Sequence, residues 1–399
     1  MIPLALKIST KLSQVKPSPT MAVTALAAEL RAQGRDVIGL GAGEPDFDTP
    51  EHIKNAAIEA INNGQTKYTA VDGIAELKNA IVGKFKNDNQ IDFQTNEILV
   101  SCGGKQSFYN LAQAVLDNGD EVLIPAPYWV SYPDIALLAG GVPVIVETMQ
   151  DQSFKMTPEQ LDAAMTDKTR LVVINSPSNP SGKLYSKSEL TALGEVLMKY
   201  PDALVATDDM YEHIVWAEEG FCNIVNACPD LKDRTVVMNG VSKAYAMTGW
   251  RIGYAGGPEP VISAMKKIQS QSTSNPTSIS QWASAAALTG GKDCITPMLA
   301  AFKDRHDYVV NSLNSMNGVS CIQSDGTFYA FPNVQAAIDA NPDTANDVEF
   351  SSWVLDKAGV AIVPGSAFGT EGHVRLSYAT SMENLEKAMT RMSDLLNTG

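Results

Sequence analysis

The stretch Val241-Ser242-Lys243-Ala244-Tyr245-Ala246-Met247-Thr248-Gly249-Trp250-Arg251 decides how the rest of the chain is read. It follows the apolar run Thr235-Val236-Val237-Met238, which reads as a buried strand. Asn239-Gly240 then reads as a turn. Beyond it, Lys243 sits among small and apolar residues, with Arg251 eight positions on. Burial disfavours a charged amine and so frees it to attack a carbonyl. A fixed guanidinium suits a phosphate. The pair suggests a ligand carrying both an aldehyde and a phosphate, although a surface lysine beside a structural arginine would look the same in isolation.

Outward from this stretch, short apolar runs alternate with helical periodicity. The pattern predicts strands over 37–40, 97–101, 121–124, 142–146, 171–174 and 203–207, and helices over 20–33, 50–61, 74–86 and 107–116. Such alternation implies α/β architecture with a mostly parallel sheet covered by helices. After Arg251 the pattern turns helical, with long amphipathic stretches over 279–289 and 298–315. Two strands over 326–331 and 373–378 and a final helix over 382–396 give the C-terminal part an α+β character. The expected division is a large domain over 48–290 and a smaller one built from both chain ends, 1–47 and 291–399.

Chemistry-bearing residues recur just past the strands. Gly41-Ala42-Gly43-Glu44-Pro45-Asp46 fails the GxGxxG dinucleotide pattern in either register, because Glu44 or Asp46 stands in the third glycine position. Its glycines let backbone amides approach a ligand instead. Cys102-Gly103-Gly104-Lys105-Gln106 joins a strand to a helix, the arrangement in which free amides and the helix dipole favour an anion. A purely structural turn would use the same residues. Trp129 follows the next strand, where an indole can stack on a planar ring or simply fill the core. Asn179 lies in the proline-bounded turn Asn175-Ser176-Pro177-Ser178-Asn179-Pro180-Ser181-Gly182. Asp208-Asp209-Met210-Tyr211 ends another strand, and a carboxylate there needs a cationic partner such as a protonated pyridine nitrogen. The residues alone do not rank Asp208 against Asp209.

Bulk properties exclude several other classes. A formal net charge of −15 disfavours non-specific binding to nucleic acid or anionic membrane. Five scattered cysteines without a CxxC pair argue against a disulfide framework and a zinc site, and four histidines show no metal-ligand spacing. No apolar run approaches the length that spans a bilayer. The expected compartment is the reducing cytoplasm.

A Schiff-base lysine, a carboxylate for a pyridine nitrogen, a phosphate cradle and a stacking aromatic are the parts a pyridoxal phosphate site requires. Over almost its full length the chain resembles the class I, fold-type I aminotransferases, nearest to the bacterial subgroup of aspartate aminotransferases. The resemblance rests on Lys16-Pro17-Ser18, Ala42 to Phe47, Lys67-Tyr68, Gly103 to Gln106, Pro127 to Pro133, Asn175 to Gly182, Asp208 to His213, Ser242 to Gly253 and Val374 to Tyr378. It implies a fold-type I architecture whose large domain holds a seven-stranded, mostly parallel sheet.

The resemblance also implies roles. Lys243 would be the Schiff-base lysine, and Asp208 would pair with the pyridinium nitrogen. Tyr211 and Asn179 would bond the ring hydroxyl oxygen, and Trp129 would stack on the ring. Gly103, Gly104, Lys105, Arg251 and Ser242 would hold the phosphate, joined by Tyr68 from a neighbouring subunit of a homodimer. Arg375 and the Gly43 amide would bind the substrate α-carboxylate.

The implied reaction is ping-pong transamination of L-aspartate and 2-oxoglutarate. The stretch 270–280 lacks the arginine that the animal-type subgroup uses for the distal carboxylate. Lys105, Ser18 and Thr20 match the residues of the bacterial subgroup instead. Some members also transaminate prephenate, and Lys16 stands where they contact it. An aromatic or prephenate aminotransferase is therefore the alternative, ahead of a β-lyase or cyclopropane-forming synthase and of a sensor domain fused to a DNA-binding segment.

Overall fold

Residues 7–17 and 19–397 are described by the structure, a computed structural model. Its strands are, in chain order, β1 (Ile38–Gly39), β2 (Ile98–Ser101), β3 (Glu121–Ala126), β4 (Val142–Glu147), β5 (Thr169–Asn175), β6 (Leu204–Asp208), β7 (Thr235–Gly240), β8 (Gly253–Gly256), β9 (Tyr329–Ala330), β10 (Val360–Ala361), β11 (Val363–Pro364) and β12 (Val374–Ser377). Among the described residues, seven of them form one sheet in the order β2-β8-β7-β6-β5-β3-β4. Every pairing in it is parallel except those of β8, which runs against both neighbours.

Alternation along these strands fills two separate cores, one on each face. Leu99, Val122, Ile124, Leu171, Val173, Val236 and Met238 pack on one side. Their chain neighbours Ile98, Val100, Leu123, Val172, Ile174 and Val237 pack on the other. A sheet buried on both faces needs apolar residues in both phases, which is why its strands read as continuous apolar runs. Helices cover the faces, among them Gly104–Val115 and Glu259–Ser272, which pack against each other.

Among the described residues there are two further sheets, and early and late parts of the chain meet in one of them. Strand β1 pairs in parallel with β10, and β12 lies between β11 and β9 in an antiparallel sheet. The helices Thr296–Asn314, Asp347–Ala358 and Met382–Asn397 pack around them.

Two local expectations fail. Asn239-Gly240 is not a turn but the end of β7, paired with Tyr254 and Gly253. The chain after Arg251 is not yet helical, since β8 intervenes before the helix Glu259–Ser272. In β8 the glycines answer to packing rather than to strand propensity. A Cβ on Gly253 would strike the backbone of Gly103 and Gly104, and one on Gly256 would strike Phe93 and Phe85. Because β8 runs backwards, its first residue lies at the edge where the parallel strands end, and that brings Arg251 to the same edge as Lys243.

Candidate active site

The parallel strands deliver their terminal residues to one edge, where open α/β sheets form ligand crevices. There, a cavity of about 490 Å³ is lined by Lys105, Trp129, Asn179, Asp208, Tyr211, Ser242, Lys243, Arg251 and Arg375, together with Gly43, Gly104 and Thr20. Apart from tyrosines, its ionisable lining comprises four basic groups (Lys105, Lys243, Arg251, Arg375) against two carboxylates (Glu44, Asp208), so a strongly acidic chain carries a locally basic pocket.

Lys243 is half-buried, and its Nζ donates to the Gly43 carbonyl at 2.5 Å. Burial, and then the charges of Arg375 and Arg251, push its pKa down to about 8 against the opposing pull of Glu44 and Asp208. An amine so placed has a neutral, nucleophilic fraction near neutral pH that an exposed lysine lacks.

The adjacent aspartates separate cleanly. Asp208 faces the cavity, its Oδ2 accepting from the Tyr132 hydroxyl at 2.6 Å and its Oδ1 from the Met210 amide at 3.3 Å. Burial raises its pKa, while Tyr132, Met210 and Lys243 oppose the rise. Asp209 points into the core instead, where it accepts from Thr207 at 2.6 Å and from Asn223, and burial followed by Glu212 pushes it up to about 8.

Arg375 is only 2% exposed, yet no carboxylate pairs with it among the described residues. Its Nη1 donates to Asn179 Oδ1 at 2.9 Å and its Nη2 to the Gly41 carbonyl at 2.7 Å. The Nε has no partner. The guanidinium lies 4.4 Å from the centroid of Tyr329 and 4.9 Å from that of Phe368. A buried cation held by neutral groups is costly unless an anion joins it, and this one opens on the cavity.

The turn into the helix Gly104–Val115 is built by close approach. Gly103 has a φ of 88° and stands immediately before the helix Gly104–Val115, and a Cβ there would collide with Arg251 Nη2. Arg251 donates to the carbonyls of Thr248 at 2.8 Å and Cys102 at 3.3 Å, which holds its guanidinium across the helix N-terminus. Lys105, on the first turn, has its Nζ 5.2 Å from the Trp129 ring centroid. These donors fit a phosphate, and the acid Asp208 across the cavity fits a protonated ring nitrogen.

Three expected residues lie elsewhere. Tyr68 is 93% exposed and lines no part of this cavity. Lys16 lines a neighbouring cavity that shares Lys105, Val130 and Arg251 with the first, and its backbone bonds the Asp134 carboxylate. Ser18 falls outside the described residues. Two tyrosines that carry no role in the sequence reading belong to the site. Tyr132 supports Asp208, and the Tyr329 hydroxyl lies 3.0 Å from that of Tyr211. The signal for each was its place in a quoted motif or an expected strand, with nothing in residue type to single it out.

Comparison with known proteins gives the family. Residues 35–392 match the model of the family described as aminotransferase class I and II. The chain belongs to that family. This aminotransferase is 60% identical over 397 residues, 98% of it and 100% of the relative, to the aspartate/prephenate aminotransferase of Nitrosomonas europaea. It is 49% identical to the aspartate aminotransferase of Bacillus subtilis, covering 97% of this chain and 98% of that one. Among solved structures, the aspartate aminotransferase from Rhizobium meliloti superposes with a TM-score of 0.95 at 46% identity, over 98% of this chain and 99% of the other. The Thermus thermophilus enzyme with maleate gives 0.92 at 42% identity, over 98% and 100%. Family and neighbours confirm the fold-type I reading, and membership of the family implies pyridoxal phosphate as cofactor.

Proposed function

We propose that this aminotransferase exchanges an amino group between L-aspartate and 2-oxoglutarate, and that it does so with pyridoxal phosphate. The observation that carries the reading is Arg375, a buried cation without a carboxylate, in one cavity with a depressed-pKa lysine. Pyridoxal phosphate, when bound, supplies an aldehyde carbon for an amine to attack and a ring that draws electrons from the substrate α-carbon.

The chain does the rest. The amides of Gly103 and Gly104, with Arg251, Ser242 and Lys105, hold the phosphate. Asp208, kept in place by Tyr132, holds a proton on the ring nitrogen. Tyr211 and Asn179 hold the ring hydroxyl oxygen, and Trp129 covers the ring. Arg375 and the Gly43 amide orient the α-carboxylate, which sets the α-hydrogen toward Lys243. The Lys243 amine moves that proton as a general base. Both half-reactions use this one cavity, so the first oxo acid leaves before the second binds. Lys105 and Thr20, with Ser18, meet the distal carboxylate.

We also propose a homodimer in which Tyr68 serves the neighbouring subunit's site; its 93% exposure fits a partner outside its own chain. The division into a large domain over 48–290 and a small one from both ends completes the proposal.

A second reading, prephenate as amino acceptor, has support in the Nitrosomonas europaea relative, an aspartate/prephenate aminotransferase, and in Lys16, whose cavity adjoins the first through Lys105, Val130 and Arg251. Initial rates with L-aspartate varied at several fixed concentrations of 2-oxoglutarate should give parallel double-reciprocal lines. Intersecting lines contradict the shared-site sequence. Replacing 2-oxoglutarate by prephenate with glutamate as donor decides the second reading, and kcat/KM within about tenfold of the aspartate value favours it.

A further inference from the structure

We infer that Tyr329 is a positioning residue that fixes which way the Tyr211 hydroxyl points its hydrogen, and that Arg375 sets this preference. The inference rests on the proposed cofactor site. Tyr329 is 1% exposed, and Tyr211 is the hydrogen-bond partner of its hydroxyl, at 3.0 Å. Strand register builds the arrangement. Ser377 of β12 stands opposite Tyr329 of β9, so Arg375, two residues earlier, emerges on the same face of the sheet. There its guanidinium lies over the Tyr329 ring, 4.4 Å from the centroid. Gly43 presses on the Tyr329 hydroxyl so closely that a Cβ would collide with it. The same Gly43 accepts the Lys243 amine through its carbonyl. One phenol thus touches the carboxylate-binding arginine, the loop that holds the lysine, and Tyr211.

A phenol has a single hydrogen. Tyr211 and Tyr329 both line the cavity, and their hydroxyls meet at 3.0 Å. If Tyr329 donates, Tyr211 is free to donate into the cavity; if Tyr211 donates to Tyr329, it offers the cavity only an acceptor. The 3.0 Å separation serves either direction. The guanidinium decides between them, because a positive charge over a phenol ring stabilises negative charge on its oxygen and makes it the better donor. A donor chain also strengthens its last bond. Arg375 acts on Tyr211 too, and the other ionisable groups near the pair are Asp208 and Tyr132, which bear on Tyr211, Tyr378, which interacts with Tyr329, and Lys243, whose Nζ is 6.0 Å from the Tyr211 ring centroid. When a carboxylate neutralises Arg375, the bias on Tyr329 weakens. Substrate binding is thereby felt at Tyr211 without contact between the two.

The test is a pH titration of the visible absorption band of the protein loaded with pyridoxal phosphate, alone and with maleate, a dicarboxylate with neither amine nor oxo group. Tyr329→Phe keeps the ring under the guanidinium and removes only the hydroxyl. Loss of donation to the ring oxygen favours the protonated form, so the midpoint should rise by about half a pH unit or more. In a Tyr211→Phe background the same substitution should add nothing, since Tyr329 acts only through Tyr211. The upward shift that maleate causes should be smaller in Tyr329→Phe than in the unaltered protein. A packing role alone predicts none of these changes. An unmoved midpoint, an equal shift in the Tyr211→Phe background or an unchanged maleate increment overturns the inference while leaving the proposed function standing. A wild-type protein that shows no band at all removes the proposed function and this inference together.

Discussion

Buried charge lies on both sides of Tyr211, and the two sides are completed differently. On one side Lys84 pairs with Glu212, which also accepts from Asn89 at 2.7 Å and Asn239 at 2.9 Å. Burial raises the Glu212 pKa, but Lys84, His213 and Asn89 outweigh it and hold the carboxylate below its ordinary range. Lys292 meets Asp88 at the margin of the same group. On the other side Arg375 and Lys243 have carbonyl and amide oxygens for partners and form no ion pair among the described residues. The first cluster balances its charge within the chain and ties the helix Ala75–Asn89 to the ends of β6 and β7. The second keeps cations in low dielectric without an ion-pair partner, a cost that an anion from outside relieves. Unpaired burial, rather than burial itself, separates a site from a scaffold.

Substitutions on the two sides should therefore fail in different ways. Lys243→Ala is expected to cut kcat by about 10⁴-fold or more, the loss of nucleophile and general base together, with the fold retained by circular dichroism. Asp208→Ala should cost about 10³-fold in kcat, the scale of one preorganised electrostatic contact. Asp209→Ala should instead lower stability by about 2 kcal/mol through its lost hydrogen bonds, with a far smaller loss of rate. If the two aspartates behaved alike, the contrast between cavity and core would collapse.

Lys84→Met should destabilise by about 3–5 kcal/mol in denaturant titrations, because it strands the Glu212 charge. The matching change at the site carries the opposite sign. In cofactor-free protein, Lys243→Met should stabilise by about 1–3 kcal/mol at pH 7. The folded Lys243 pKa is depressed to about 8 from 10.5. The unfolded chain therefore binds more protons between those values, and the unaltered protein gains stability as pH rises through them. The advantage of Lys243→Met should shrink over that window; a gain that grew with pH would contradict the sign. Smallest, Lys105→Ala should lower kcat/KM about tenfold for aspartate and less for an amino acid without a distal carboxylate, and equal losses would make Lys105 structural.

Much of this was legible in the sequence wherever chemistry coincided with a strand end. The apolar runs mark most of the central sheet, and the residues after them, from Gly104 to Lys243, do gather in one cavity. Local pattern failed where long-range packing chose the residue. Gly253-Tyr254-Ala255-Gly256 has too little side chain to read as a strand, yet glycine is what contact with Gly103-Gly104 and Phe93 demands. Asn239-Gly240 has turn chemistry but is held extended by β8. The Asp208/Asp209 ambiguity turns on one residue of strand phase, which only the register resolves. Tyr132 and Tyr329 escaped because a tyrosine in an apolar strand or helix reads as core until its hydroxyl's partner is known.

The most direct test of the central claim is the visible absorption spectrum of the purified protein with pyridoxal phosphate, followed while L-aspartate and then 2-oxoglutarate are added. The account predicts a yellow band that aspartate bleaches and 2-oxoglutarate restores, with oxaloacetate and glutamate as products. A protein that takes up pyridoxal phosphate without forming the band, or whose band ignores aspartate, would contradict it.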